Sequence, residues 1–196
     1  MMNNFSKFFL SIASDICLKI DYKKIDKLIG SLVRLRKLNG RLFILGVGGS
    51  AGNASHAVND FRKLCNIETY APTDNVSEMT ARTNDEGWET VFKEWLKTSN
   101  LNNNDAILIF SVGGGNTKAK VSVNLIKAID YAIKCKSKIF SIVGKSDGYA
   151  YLKSDISLLV PSPEPKLITP YSESFQTLIW HCLVSHPKLQ VTKTKW

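Results

Sequence analysis

Along the chain, stretches in which apolar residues recur with the period of an amphipathic helix alternate with short continuous apolar runs, which are typical of buried strands. Residues 3–38 place apolar side chains on one helical face, with a break expected near Asp21-Tyr22. Beyond them, short apolar runs bounded by Gly, Asn or Pro predict buried strands. The predicted strands span residues 43–45, 68–72, 106–111, 138–143 and 156–160.

Helical patterns separate these strands along the chain. The predicted helices follow the first glycine turn as far as residue 65 and then span residues 76–82, 88–96, 117–135 and 172–185. Strands that alternate with helices are typical of right-handed βαβ units. We therefore predict a doubly wound α/β fold with a parallel sheet and an amphipathic helical segment before it. One domain covers residues 1–196, divided into the helical segment (1–38), the α/β core (39–187) and a basic tail (188–196).

Composition agrees with a single globular domain and narrows the classes of partner. The 196 residues are 44% hydrophobic, and no apolar run reaches the length of about 20 residues that a membrane helix needs. A net charge of +9 suits either nucleic acid or phosphorylated metabolites. The lysines are spread along the chain without a helix-turn-helix or ribonucleoprotein signature. We expect a phosphorylated small molecule, and neither nucleic acid nor a membrane, as the partner.

The first twenty residues and the cysteines bear on the compartment. Lys7 interrupts the N-terminal apolar patch, and no small-residue cleavage signature follows, so the stretch predicts an amphipathic helix rather than a signal peptide. The cysteines are widely spaced and form no CxxC motif, which argues against a zinc ribbon or a disulfide framework. We expect reduced thiols and a cytoplasmic protein.

Two glycine turns follow two of the predicted buried strands. They are Gly46-Val47-Gly48-Gly49-Ser50 and Gly113-Gly114-Gly115-Asn116. Neither a GxGxxG dinucleotide fingerprint nor a P-loop is present, because Ala51 stands at the third glycine position and no Gly-Lys-Ser/Thr follows. In an open α/β sheet such turns collect ligands where the winding reverses. A small anion such as a sugar phosphate remains as a ligand, although glycine turns are equally often only tight turns.

Titratable residues with helical spacing accompany these turns. His56 and Asp60 lie four residues apart on the first predicted helix of the core, and Glu173 lies eight residues before His181 on the last helix. Two such pairs could converge on one metal ion or one proton-transfer site. Spacing alone favours the alternative that His181, between Trp180 and Cys182, is a core histidine.

Three runs in order along the chain resemble a known family. The runs GVGGSAGNASHAVND, TDNVSEMTARTNDEGWETVF and SVGGGN are similar to the sugar isomerase (SIS) domain and, within it, to the phosphoheptose isomerase family. The resemblance implies a homotetramer with active sites at subunit boundaries. It also implies interconversion of sedoheptulose 7-phosphate and glycero-manno-heptose 7-phosphate, with zinc bound in several members.

The resemblance implies roles for individual residues. The implied metal ligands are His56, Asp60, Glu173 and His181, and the implied catalytic residues are Asp60, Glu173 and His181. The implied substrate-binding residues are Gly48, Gly49, Ser50, Asn84, Asp85, Ser111, Gly113, Asn116 and Thr117. Asp60 stands where the family has glutamate, and Glu173 where it has glutamine. The segment Val112–Gly115 stands where hydroxyl side chains are expected, so the phosphate would depend more on backbone N–H groups.

We therefore predict an aldose–ketose isomerase of a sugar phosphate, most specifically of sedoheptulose 7-phosphate, that uses a divalent metal, with zinc as the expected ion. Asp60 or Glu173 would remove the proton next to the carbonyl, and His181 would be the complementary acid. The alternatives are a non-catalytic regulator of the same fold that binds a protein, and an isomerase of a hexose or pentose phosphate.

Overall fold

The computed structural model describes residues 4–194 and contains a five-stranded parallel sheet with helices on both faces. The first three residues of the predicted N-terminal helical segment (1–3) and the last two of the predicted basic tail (195–196) lie outside this range. The strands are β1 (Leu42–Leu45), β2 (Thr69–Tyr70), β3 (Ala106–Ser111), β4 (Lys138–Val143) and β5 (Ile156–Leu159). The helices are α1 (Phe5–Lys19), α2 (Tyr22–Lys37), α3 (Gly49–Cys65), α4 (Val76–Glu86), α5 (Val91–Thr98), α6 (Val123–Lys134), α7 (Tyr149–Lys153) and α8 (Ile168–Ser185).

The winding of the sheet reverses between its first and third strands. The strand order is β2-β1-β3-β4-β5, and every neighbouring pair is parallel. Leu45 at the end of β1 is in register with Ile109 of β3, so the loops that follow these two strands lie side by side. This point is the place where doubly wound sheets bind ligands. The predicted fold class is confirmed.

Alternating side chains along the strands divide the core into two layers. Leu42 and Ile44 pack with α1, α2, α3 and α8, whereas Phe43 and Leu45 pack with α5, α6 and α7. All four side chains are buried, because a parallel sheet is covered on both faces. The layer that contains α3 and α8 carries His56, Asp60, Glu173 and His181.

Two predictions about the elements are confirmed, the break in the N-terminal segment and the bounds of two strands. The N-terminal segment is broken at the predicted point, where the Asp21 side chain accepts a hydrogen bond of 3.2 Å from the Lys24 N–H and caps α2. Strands β3 and β4 have the predicted bounds. All four cysteines are unpaired. Across residues 4–194, no helix combines the length and apolar character that crossing a bilayer would require.

Other predicted bounds are wrong. Helix α6 begins at Val123 rather than at residue 117, because Lys120 and Ser122 adopt positive φ angles and Asn116 pairs with Val121 in a tight loop. Helix α8 begins four residues early, at Ile168, since Pro170 is tolerated in a first turn that needs no N–H donor. Helix α4 continues through Glu86, β2 is shorter than predicted, and no pattern of residues indicated α7.

Candidate functional site

Helices α3 and α8 lie side by side and run in the same direction. Contacts between them follow in order from the carboxyl edge of the sheet: Gly49 with Glu173, Asn53 with Gln176, His56 with His181, and Cys65 with Val184. This parallel order brings the two predicted histidine–carboxylate helices into one interface. Their facing sides carry the candidate chemistry.

His56, Asp60 and His181 form one cluster on this interface. One ligand atom from each residue lies within 4.8 Å of the others. His181 Nε2 is 3.8 Å from Asp60 Oδ2, and the two imidazole rings are 5.5 Å apart between centroids. His56 is exposed, and the side chain of His181 is 45% exposed. His181 is therefore not a core histidine, the alternative that spacing alone favours.

Hydrogen bonds orient two members of the cluster. The Nδ1 of His181 is 2.9 Å from the carbonyl oxygen of Thr177, which can only accept, so Nδ1 carries the proton and Nε2 faces Asp60. The Asn59 side-chain amide donates a 2.8 Å hydrogen bond to Asp60 Oδ1 and leaves Oδ2 directed at His181. Such fixed tautomers and carboxylates are typical of both metal ligands and acid–base pairs.

The cluster fits a divalent cation by its donor chemistry. Two imidazole nitrogens and one carboxylate oxygen are the three protein ligands of many catalytic zinc sites, which keep a fourth position open. Tetrahedral zinc with bonds of about 2.0–2.1 Å separates its ligands by about 3.3 Å. The ligand atoms, which lie up to 4.8 Å apart, would have to approach one another by up to about 1.5 Å to bind one ion. The open side of the cluster faces solvent through His56.

Glu173 is not part of this cluster. Its carboxylate lies against Gly49, the first residue of α3, where a Cβ would overlap the carboxylate atoms. Gly48 has a φ of +64°, which lets the chain turn from β1 into the helix. The N-terminus of α3 carries partial positive charge, so Glu173 occupies an anion-stabilising position at the first glycine turn.

A cavity of about 340 Å³ opens beside the first glycine turn. Gly46, Gly48, Thr73, Met79 and Trp88 are among the residues that line it. The Thr73 hydroxyl is buried without a hydrogen-bond partner within the described part of the chain. A buried polar atom of this kind ordinarily pairs with water or a ligand. The predicted Ser50 is buried in the first turn of α3 and does not line the cavity.

The second glycine turn is held by α7. The Tyr149 and Ala150 N–H groups donate to the carbonyl oxygens of Gly115 and Gly114 at 2.9 and 2.8 Å. The Ser111 hydroxyl accepts from the Gly114 N–H at 3.0 Å and is buried. A cavity of about 260 Å³ lies beside this turn, and its lining is Gly115, Asn116, Thr117, Lys118, Asp147, Tyr149 and Leu152.

Asn84 and Asp85 lie in the last turn of α4 rather than in a loop. Both are exposed, and the Asn84 amide donates a 2.8 Å hydrogen bond to Asp85 Oδ1. Neither residue lines the cavity beside the first glycine turn. Their substrate contacts stay a prediction, as does the predicted contact of Gly113.

Two polar residues of this interface are absent from the predicted site. Asn53 lies three residues before His56, and Thr177 lies midway between Glu173 and His181. Both therefore share a helix face with the predicted residues, because side chains three or four residues apart are neighbours. A search of the same helix faces one turn before His56 and one turn before His181 would have found them.

The chain is similar to proteins of known families. A model of the SIS domain matches residues 9–144, which include His56 and Asp60 and end before α8. The structure of a phosphoheptose isomerase from Francisella tularensis superposes with a TM-score of 0.78 at 21% identity, covering 93% of this chain and 94% of that one. At this identity the superposition shows the fold.

Sequence relatives narrow the family further. The lincomycin biosynthesis protein LmbN of Streptomyces lincolnensis is 31% identical over 158 residues, which are 75% of this chain and 56% of LmbN, so the match spans little more than half of that protein. A phosphoheptose isomerase from Helicobacter pylori (strain HPAG1) is 30% identical over 149 residues, 74% of this chain and 72% of the relative. The chain belongs to the SIS domain family and, within it, to the phosphoheptose isomerase family, and the prediction of an isomerase is confirmed.

Proposed function

We propose that the protein is an aldose–ketose isomerase of a sugar phosphate and that its substrate is sedoheptulose 7-phosphate, converted to D-glycero-D-manno-heptose 7-phosphate. The observation that carries the proposal is the placement of Asp60 Oδ2 3.8 Å from His181 Nε2, on two helices that lie side by side against the sheet. A carboxylate and an imidazole side by side can move a proton between two neighbouring carbons and exchange protons with the oxygens that these carbons carry. The relative named phosphoheptose isomerase supports a sugar phosphate as the class of substrate.

The two glycine turns suggest how a sugar phosphate would be oriented. Glu173 already places a negative charge at the N-terminus of α3, which disfavours a phosphate at the first turn. The second turn has Gly114 and Gly115 at positive φ; the Gly114 N–H is donated to Ser111, so the Gly115 N–H is the one offered to a ligand, and Lys118 lines the cavity. We assign the phosphate to the second turn, with Asn116 and Thr117 beside it.

The proton transfer is assigned to residues of the α3–α8 cluster. Asp60 removes the proton from the carbon next to the carbonyl, and the imidazolium form of His181, protonated on both ring nitrogens, donates its Nε2 proton to the carbonyl oxygen to give an enediol. Asp60 then returns its proton to the neighbouring carbon while His181 takes the proton of the other enediol hydroxyl, so both residues are restored and no atom is gained or lost. Asn59 keeps Asp60 in place, and the Thr177 carbonyl accepts from His181 Nδ1 and so keeps Nε2 directed at Asp60.

His56, Asp60 and His181 would hold a divalent cation, for which zinc is the proposed ion. When bound, the cation supplies polarisation of the sugar carbonyl. The cation and the transferred proton would compete for the same atoms of Asp60 and His181. Glu173 would then be a hydrogen-bond acceptor for a sugar hydroxyl at the first turn, rather than a ligand.

We also propose a homo-oligomer, as the family resemblance implies, with a tetramer as the expected state. The cluster lies on an open side of α3 and α8, and Leu178, three residues before His181, is 51% exposed there. A second copy that covers this side would exclude water from the cluster. This placement supports sites at subunit boundaries.

Conversion of sedoheptulose 7-phosphate by the purified protein tests the proposed function. We expect aldose formation, followed by coupled detection of the product or by nuclear magnetic resonance. The same assay with a chelator, and with zinc restored, decides whether the cation serves the reaction. Absence of conversion, together with absence of thermal stabilisation by any of several sugar phosphates, would contradict the proposal and favour a protein-binding regulator.

Replacement of Glu173 by glutamine distinguishes the two candidate bases. We expect kcat to stay within about tenfold of wild type, because Asp60 is the assigned base and the amide keeps the size of the side chain. The Michaelis constant should change several-fold if Glu173 binds a sugar hydroxyl. Glu164→Gln, a change of the same kind nine residues earlier, is the control. A loss of kcat of about a hundredfold or more would instead make Glu173 the base.

A further inference from the structure

One side chain joins the two helices that carry the cluster. We propose that Asn53 is a positioning residue that sets the register of α8 on α3 and so holds His181 beside His56 and Asp60. The inference rests on the proposed metal and proton-transfer site, and it assigns a role to a residue outside that site. It is carried by the hydrogen bonds of the Asn53 amide and by their connection to His181.

Asn53 directs its whole amide group at α8. Its Nδ2 donates to the Glu173 carbonyl oxygen at 2.9 Å and to Gln176 Oε1 at 3.0 Å. Its Oδ1 accepts a 2.9 Å hydrogen bond from the Thr177 hydroxyl. The Glu173 carbonyl can only accept, so the orientation of the amide is fixed. Both N–H groups and the oxygen of one half-buried side chain are thus used across a single helix interface.

These hydrogen bonds connect directly to the cluster. Thr177, which Asn53 holds through its hydroxyl, is the residue whose carbonyl accepts from His181 Nδ1. Asn53 also precedes His56 by three residues, so it lies one turn from the cluster on α3. Sliding α8 by one residue would move His181 by about 1.5 Å along the helix axis. A displacement of that size exceeds the tolerance of about 0.5 Å that a functional site allows.

Other contacts between the helices define the register less sharply. The remaining buried residues of α8 include Phe175, Ile179 and Leu183, whose apolar packing is non-directional. At the far end, Cys65 Sγ lies 3.8 Å from the Val184 carbonyl oxygen, a weak contact. Burial raises the pKa of the Cys65 thiol to about 12, so this contact carries no charge. The directional hydrogen bonds of Asn53 therefore specify the register of α8 on α3, which apolar packing alone would leave adjustable.

Zinc affinity of purified variants tests the inference without relying on activity. Asn53→Leu keeps the size of the side chain but leaves the Glu173 carbonyl, Gln176 and Thr177 without their partner. We expect its affinity for added zinc, measured by competition with a chromophoric chelator, to fall about 10- to 100-fold, the effect seen for residues that support metal ligands. Turnover should fall in parallel.

Val184→Ala is the matched control, since it weakens the same helix interface by removing buried apolar atoms near Cys65, away from the cluster. We expect a comparable loss of thermal stability with zinc affinity within about threefold of wild type. Equal losses of affinity in both variants would show that Asn53 acts only through stability and would overturn the inference. Unchanged affinity in Asn53→Leu would overturn it as well.

Asn53→Asp is a second, milder variant. It tests the inference in case Asn53→Leu does not fold. The Nε2 of Gln176 is buried without a partner in the described chain, so a flip of that amide would let it donate to the carboxylate that this substitution introduces. We expect a smaller loss of zinc affinity than in Asn53→Leu, because only the hydrogen bond from residue 53 to the Glu173 carbonyl is lost. If the wild-type protein binds no zinc, the inference is overturned. Conversion of sedoheptulose 7-phosphate tests the proposed function separately.

Discussion

Replacing Asp60 with asparagine should lower kcat by about 10³-fold, within the range of 10² to 10⁴ that a positioned general base contributes. Asparagine keeps the shape of the side chain and can retain a contact with Asn59, but its amide cannot take a proton from carbon. The 3.8 Å separation between Asp60 and His181 would persist, so the loss would report chemistry rather than geometry. Steady-state kinetics with sedoheptulose 7-phosphate measure the change.

Asp60→Glu is the informative companion variant. Glutamate restores the residue that the family resemblance places here and retains the carboxylate at the end of one further methylene. We expect kcat within about tenfold of wild type, since the base is kept and only its reach changes. Thermal unfolding should be similar for both variants, because both replacements keep a side-chain oxygen that can accept the hydrogen bond from Asn59. Near wild-type turnover of Asp60→Asn would remove Asp60 from the role of base.

Much of the fold follows from local patterns that the tertiary structure leaves intact. Strands β3 and β4 are buried on both faces, so their continuous apolar runs mark their own bounds. Helix α6 shows the limit of such patterns. Residues 117–122 form a tight loop closed by the Asn116–Val121 pair, and the spacing of apolar residues does not predict such a loop. Helix α7 has only five residues and owes its position to hydrogen bonds with Gly114 and Gly115.

The candidate site shows a similar division. The four-residue spacing of His56 and Asp60 predicted a shared face of α3, and the structure places both against α8. Spacing could not reveal that Glu173 and His181 serve different places. Eight residues span about 12 Å along a helix, so Glu173 reaches the first glycine turn while His181 reaches the cluster. Which end of α8 faces which part of α3 depends on the relative register of two helices distant in sequence.

His181→Ala should remove turnover and weaken zinc binding together. The imidazole is the assigned acid and also one of three candidate ligands, so both properties depend on the same Nε2 atom. We expect kcat to fall about 10³-fold or more and zinc affinity to fall by at least about a hundredfold. Kinetics and chelator competition on the same preparation measure the two effects.

Cys182→Ala is the control for this variant, because Cys182 is the exposed neighbour of His181 on α8 and belongs to neither proposed role. Added imidazole gives a sharper distinction. The His181 side chain is 45% exposed, so free imidazole can reach the space that alanine leaves. Partial recovery of turnover by imidazole, with none in Asp60→Asn, would show that turnover depends on the imidazole ring of His181. Recovery in neither variant, with full activity of His181→Ala itself, would place the chemistry away from the α3–α8 cluster.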